Sequence, residues 1–170
     1  MTDESVFEVG KNIATTEGAV VYENELMQLI QYSPLTPKVG TRPLVVVPPC
    51  INKFYIMDLQ PDNSLIRFMV DQGNTVFLVS WRNPSEAHGQ VGWDDYLEHG
   101  PITALHIAQE ITKVKQVNAL GFCVGGTILS AALSVAKARG EEPAASLTLL
   151  TTLLDFADGG EVTHYVDPAS

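Results

Sequence analysis

Three short runs, LVVVPP at residues 44–49, TVFLVSW at 75–81 and VNALGF at 117–122, recur along the chain with helix-length segments between them. Each is rich in apolar and β-branched residues without the polar alternation of a half-exposed strand, the pattern of a strand buried on both faces. Such strands need cover above and below, and the intervening segments can supply it. Residues 63–72 carry Leu65, Ile66, Phe68, Met69 and Val70 and then meet Gly73, which reads as a short helix and its stop. Asp94 and Asp95 mark a helix start, and residues 96–111 continue it with a break at Gly100 and Pro101. Residues 127–139 form an alanine-rich helix that ends at Gly140, and SLTLLTTLLDF, residues 146–156, is a fourth apolar run. Strand and helix alternating in this way predict an α/β fold, a mostly parallel sheet with flanking helices and right-handed crossovers.

Ahead of this alternation, residues 20–32 (VVYENELMQLIQY) fit two strands with a turn near Glu23 to Glu25, and the proline-rich stretch that follows is a connection. The chain therefore divides into N-terminal strands and linker (1–43), the strand-helix alternation (44–156) and a polar tail (157–170), all within one partial domain. The fourth run is expected to be followed by no covering helix, which leaves its flank exposed and makes the chain read as truncated before the last strands of its sheet.

The chemistry concentrates in LGFCVGGT, residues 120–127, at the junction of the third strand and the alanine-rich helix. Gly121-Phe122-Cys123-Val124-Gly125 has the spacing of a nucleophile elbow, in which a strained turn lifts the nucleophile off the carboxyl edge of the sheet. Glycine two residues to either side, here followed by Gly126, removes side chains that would collide with the neighbouring strand or helix. The helix that starts at Val124 aims free N–H groups at the sulfur, and these can also hold an oxyanion. With 13 glycines in 170 residues, two cysteines would meet this pattern by chance about once in a hundred such chains. The alternative is an inert cysteine in a glycine-rich turn; the order G-x-G-x-x-G and a P-loop lysine are both absent, which argues against a phosphate loop.

A second oxyanion donor is expected from the loop after the first buried strand, PPCINK at residues 48–53. Prolines cannot donate, so Cys50 and Ile51 are the candidates, with Ile51 preferred. Strand neighbours at this point would bring Cys50 near Cys123, and a reversible disulfide that blocks the site is one hypothesis from that proximity. Asp155 and His164 follow the nucleophile in the order a triad requires, yet no further strand separates them to present the histidine. His88, His99 and His106 precede Cys123 and read as loop or helix-surface residues.

Twenty Asp and Glu against ten Lys and Arg leave a formal charge of −10, which disfavours nucleic acid and anionic membrane surfaces. The acidic start MTDESVFEVG is unlike a secretory signal, and no run reaches the ~18 apolar residues of a spanning helix, so a cytosolic location is expected. Two cysteines make no disulfide framework, and nothing in the spacing of Cys and His calls for a metal or another cofactor.

In PPCINKFYIMDLQP, TVFLVSWRNP, WDDYLEH, LGFCVGGT and LTLLTTLLDF, in that order, the sequence resembles the polyhydroxyalkanoate synthases, and GFCVGGT resembles their class I members. The resemblance runs from about Val6 to Asp167. It implies an α/β-hydrolase-type catalytic domain and an acyltransferase that polymerises (R)-3-hydroxyacyl-CoA, 3-hydroxybutyryl-CoA above all, with release of CoA. Cys123 then matches the cysteine that carries the acyl chain, Val124 and Ile51 the oxyanion backbone positions, and Asp58 a position with a role in elongation. Asp58 as a plain helix-start cap is the other reading. The resemblance also implies a cytoplasmic protein at the polyester granule surface, a homodimer, and a catalytic aspartate and histidine, with a cap region, beyond these 170 residues. Without them the chain alone is expected to be inactive. Two rivals remain: a cysteine hydrolase of the same fold, such as a thioesterase, and an inactive association module that pairs through its exposed sheet flank.

Overall fold

In the computed structural model the described residues are 6–157, 159 and 160. The chain opens with an antiparallel hairpin, β1 (Gly18–Glu23) and β2 (Met27–Tyr32). Asn24 makes the turn: its Oδ1 accepts from the backbone N–H groups of Leu26 and Met27, each at 2.9 Å, the local competition for backbone donors that suits asparagine to turns. Next come β3 (Leu44–Val47), a 3₁₀ turn at Phe54–Met57, a two-stranded hairpin of β4 (Asp58–Gln60) and β5 (Asn63–Ser64), α1 (Leu65–Asp71) and β6 (Val76–Trp81). After a loop, α2 (Trp93–Leu97) runs through a π-helical segment (Glu98–Ile102) into α3 (Thr103–Thr112). The order closes with β7 (Val117–Phe122), α4 (Val124–Ala138) and β8 (Ala144–Leu150).

Six strands form one sheet in the order β1-β2-β6-β3-β7-β8. β6, β3, β7 and β8 are parallel, and β2 joins β6 antiparallel. The alternation of side chains along the central strands divides the core in two. Val45, Val47, Phe77, Val79, Trp81, Val117 and Ala119 face α3 and α4, where Leu105, Ala108, Ile128, Leu129 and Ala132 meet them. Val46, Val76, Leu78 and Leu120 face the other way, onto Ile66, Met69 and Val70 of α1. The runs expected to be buried on both faces are so, because a helix covers each side. Among the described residues β8 pairs with β7 alone and leaves Leu147 41% exposed.

The fourth apolar run forms a strand that begins earlier and ends sooner than residues 146–156, because Thr151 turns the chain with φ +45° and ends the pairing at Leu150. The β4-β5 hairpin has no counterpart in the sequence reading; β5 occupies the first two residues assigned there to a helix, and the helix proper starts only after Ser64, whose Oγ accepts from the Arg67 N–H at 2.8 Å. Gly73, at φ +80°, ends that segment where expected.

The break at Gly100 and Pro101 is the widened turn between α2 and α3, with Gly100 at φ −101°, ψ −106°. Pro101 offers no N–H, and the carbonyls loosened there find other donors: Thr103 Oγ1 donates to Glu98 O at 2.7 Å and Asn24 Nδ2 to His99 O at 2.8 Å. Gly100 also makes room for Trp81. A Cβ at position 100 would stand 2.5 Å from Cη2 and 2.9 Å from Cζ3 of the indole. Alanine for glycine within a helix ordinarily stabilises by about 0.5–1 kcal/mol. Here Gly100→Ala should destabilise instead, by about 1–3 kcal/mol as the indole is displaced, measured by urea denaturation.

Candidate functional site

β3 lies between β6 and β7, and the chain leaves β3 toward β6 on one side while β7 pairs on the other. Loops at the carboxyl ends of β3 and β7 therefore diverge and leave a crevice, the place where open α/β sheets bind ligands. Val47 pairs with Gly121, so residues 48–51 and Cys123 emerge side by side.

Cys123 sits between β7 and α4 at φ +53°, ψ −129°, backbone angles that non-glycine residues rarely adopt. Its N–H donates to Leu150 O at 2.9 Å, and its carbonyl accepts from Gly126 N–H at 2.9 Å. The strained conformation is thus held from both sides, by the end of β8 and by the first turn of α4. The glycines are required by contact. A Cβ on Gly121 would overlap the Cα of Gly126, one on Gly125 would overlap the carbonyl oxygen of Val47, and one on Gly126 would overlap Thr152 Oγ1. The helix start is pressed against β3, β7 and the stretch after β8, and only hydrogen fits in the gaps. Val124 is the first residue of α4, so its N–H has no acceptor within the helix.

Across the crevice Pro48 and Pro49 are buried, Cys50 is half-buried and Ile51 is 75% exposed. Asn52 N–H closes the turn on Pro49 O at 3.4 Å, and Trp81 Nε1–H donates to Pro48 O at 2.8 Å. Cys50 packs against the core on the α3/α4 side, and burial pushes its thiol pKa up against a smaller opposing pull from its own backbone N–H. Both cysteines are free thiols. A cavity of about 320 Å³ opens nearby, lined among others by Lys53, Phe54, Tyr55, Trp81 and Asn83.

Asp58 is not a helix cap: Ser64 caps α1, and Asp58 is the buried acceptor beneath it, 1% exposed. Its Oδ1 accepts from Thr16 Oγ1 and Ser64 Oγ, each at 2.6 Å, and its Oδ2 from Thr16 N–H at 3.3 Å. The carboxylate ties the N-terminal segment, the β4-β5 hairpin and α1 together. Burial, and then the charge of Asp58, push the Tyr32 hydroxyl well above the usual phenol range. Sequence reasoning had no signal for Thr16 or Ser64 as partners of Asp58, since they lie 42 and 6 residues away.

The residues considered as triad partners show no hydrogen bond to Cys123 among the described residues. Asp155 is exposed and accepts from the Ala157 N–H at 2.9 Å, and His164 lies outside the described residues. His88 bonds Ser85, His106 faces Glu141 at 3.0 Å, and His99 lines a cavity with Asn24 and Asp95. Among the described residues no group of three or more His, Cys, Asp or Glu is placed to hold a metal ion, and no helix is long and apolar enough to cross a membrane.

Residues 43–168 match the family model described as the alpha/beta hydrolase fold. The chain belongs to the α/β-hydrolase family. Residues 1–69 match the model of the poly-beta-hydroxybutyrate polymerase N-terminus. The chain is 64% identical over 166 residues to a poly(3-hydroxyalkanoate) polymerase subunit of Cupriavidus necator, covering 98% of this chain and 28% of that protein. It is 44% identical over 161 residues to poly(3-hydroxyalkanoate) polymerase 1 of Ectopseudomonas oleovorans, covering 95% and 29%. The resemblance read from the sequence is borne out, and the chain spans just over a quarter of the length of these relatives. Among solved α/β-hydrolases, a mutant of the esterase rPPE superposes with a TM-score of 0.60 at 17% identity, covering 96% of this chain and 52% of that one. The hormone-sensitive-lipase homologue EstE7 from a metagenome library gives 0.59 at 15% identity, covering 87% and 47%. At such identity the likeness is one of fold.

Two predictions follow from the buried groups. Asp58→Ala leaves the hydroxyls of Thr16 and Ser64 without their acceptor and should destabilise by about 2–3 kcal/mol in urea denaturation, with Asp58→Asn less affected because one acceptor oxygen remains. For Cys50, a raised pKa means less thiolate at any given pH, so its alkylation by iodoacetamide should be slower than that of a free cysteine near neutrality. Its rate should level off only at higher pH, followed by peptide mass spectrometry.

Proposed function

We propose that these residues carry the acyl-transfer centre of a poly(3-hydroxyalkanoate) polymerase, with Cys123 as nucleophile. The observation that carries the reading is a cysteine held at φ +53° between β7 and α4, where esterases of this fold have their nucleophile turn. The polymerase names of the relatives support the substrate class, a hydroxyacyl-CoA and a growing polyester.

In this reading the Cys123 thiolate attacks the carbonyl carbon of the acyl-CoA thioester. Negative charge collects on the carbonyl oxygen, and the N–H groups of Val124 and Ile51 take it. Collapse of the tetrahedral adduct breaks the bond to the CoA sulfur, which leaves as thiolate and is protonated. One thioester replaces another at almost equal free energy, so the acyl group stays activated. A hydroxyl of another acyl unit then gives up its proton to a base and attacks the Cys123 thioester, forming an ester and freeing the thiol. His88 and His106 are engaged elsewhere and His99 lines a separate cavity, so the reading takes its base from outside the described residues. Asp58 acts in elongation through the Thr16, Ser64 and α1 framework it holds and not by touching substrate, since it is buried. Cytoplasmic placement at the polyester granule, and a homodimer, belong to the same reading.

The test is incubation of the full-length enzyme with 3-hydroxybutyryl-CoA, followed by peptide mass spectrometry and polymer assay. A hydroxybutyryl adduct on Cys123, polymer, and neither in Cys123→Ala is the expected outcome. Cys123→Ser should yield at most an ester adduct and no polymer, because an oxygen ester is not activated for the next transfer. Free hydroxybutyrate in place of polymer would make the protein a thioesterase, and no adduct at all would return Cys123 to a turn residue.

A further inference from the structure

Trp81 ends β6 two strands away from Cys123, and its indole reaches the loop that follows β3. Its Nε1–H donates to Pro48 O at 2.8 Å, and the indole is 9% exposed. The other side of the same peptide unit is covered by the first turn of α4: a Cβ on Gly125 would stand 2.5 Å from the carbonyl carbon and oxygen of Pro48. Pro48 and Pro49 have no N–H, so at these two residues only the carbonyls can anchor the turn that presents Ile51. Two such anchors are present, Trp81 on Pro48 O and Asn52 on Pro49 O, and the second is long at 3.4 Å. The indole in turn has a fixed seat. Gly100 gives it the space that any side chain would fill, and the Tyr96 ring lies 5.6 Å from it at 49°.

We infer that Trp81 is a positioning residue for the oxyanion side of the site: seated on the Gly100 turn, it fixes the Pro48 peptide and through it the Ile51 N–H opposite Val124. The inference rests on the acyl-transfer reading above. An oxyanion donor works only within about 2.7–3.1 Å of the transition-state oxygen, and loss of one donor lowers turnover by about 10²–10³. A loop released by a few tenths of an ångström loses part of that factor. The effect is selective, because acylation of Cys123 builds an oxyanion, whereas alkylation by iodoacetamide displaces iodide and builds none.

The experiment uses the full-length enzyme as wild type, Trp81→Phe, which keeps a packed ring without the N–H, and Gly100→Ala, which keeps the N–H but moves the ring. Single-turnover acylation by 3-hydroxybutyryl-CoA is followed over a range of substrate concentrations by quenching and mass spectrometry, alongside Cys123 alkylation by iodoacetamide. Both variants should acylate at least about tenfold more slowly at saturation, with half-saturation and alkylation rates within twofold of wild type. Wild-type acylation rates in Trp81→Phe would overturn the inference. So would alkylation that falls in step with acylation, since the elbow itself would then have moved. If Gly100→Ala does not fold, Trp81→Phe decides alone. A wild type that alkylates at Cys123 but never acylates would instead sink the acyl-transfer reading, and this inference with it.

Discussion

The first turn of α4 lies closer to the sheet than any side chain would permit. Gly121, Gly125 and Gly126 remove the three Cβ atoms that would hold it off, and the backbone of Gly125 comes into contact with Val47 and Pro48. Cys123 can keep its disfavoured backbone angles only because this contact and the Leu150 carbonyl hold it on opposite sides. Strain of this kind persists where the surroundings overdetermine it, and here they do so from three strands. The crevice, the free N–H of Val124 and the placement of residues 48–51 all follow from that approach.

A second constraint works below the sheet edge. Trp81, Gly100 and Asn24 connect elements far apart in sequence: Asn24 shapes the β1-β2 turn with its oxygen and satisfies the widened helical turn with its amide, while that turn seats the indole. The Asp58 carboxylate has the equivalent place on the opposite face, joining Thr16, Ser64 and the start of α1. The Trp81 N–H and the Asp58 carboxylate both find partners, and each fixes a piece of backbone that apolar packing alone would leave free to shift.

The central strands were legible in the sequence because burial on both faces leaves no polar alternation, and the elbow was legible because its steric demands select glycine at set distances from the nucleophile. The α2-α3 break was legible in Gly100 and Pro101, though not its purpose, which depends on an indole 19 residues earlier in the chain. The β4-β5 hairpin escaped because strands of three and two residues have no period to read. Asp58 was singled out, but an isolated acid ahead of a helix looks like a cap. Its real partners could be named only once the fold had brought Thr16 to it.

β8 has one more consequence. The amide of Cys123 is bonded to Leu150, Thr127 Oγ1 to the carbonyl of Leu153, and Thr152 rests on Gly126. The elbow therefore takes shape only when the chain after α4 has returned to pair with β7. The local sequence from 120 to 127 encodes the turn's permission but not its closure, which is supplied by backbone groups about 25 to 30 residues further along the chain.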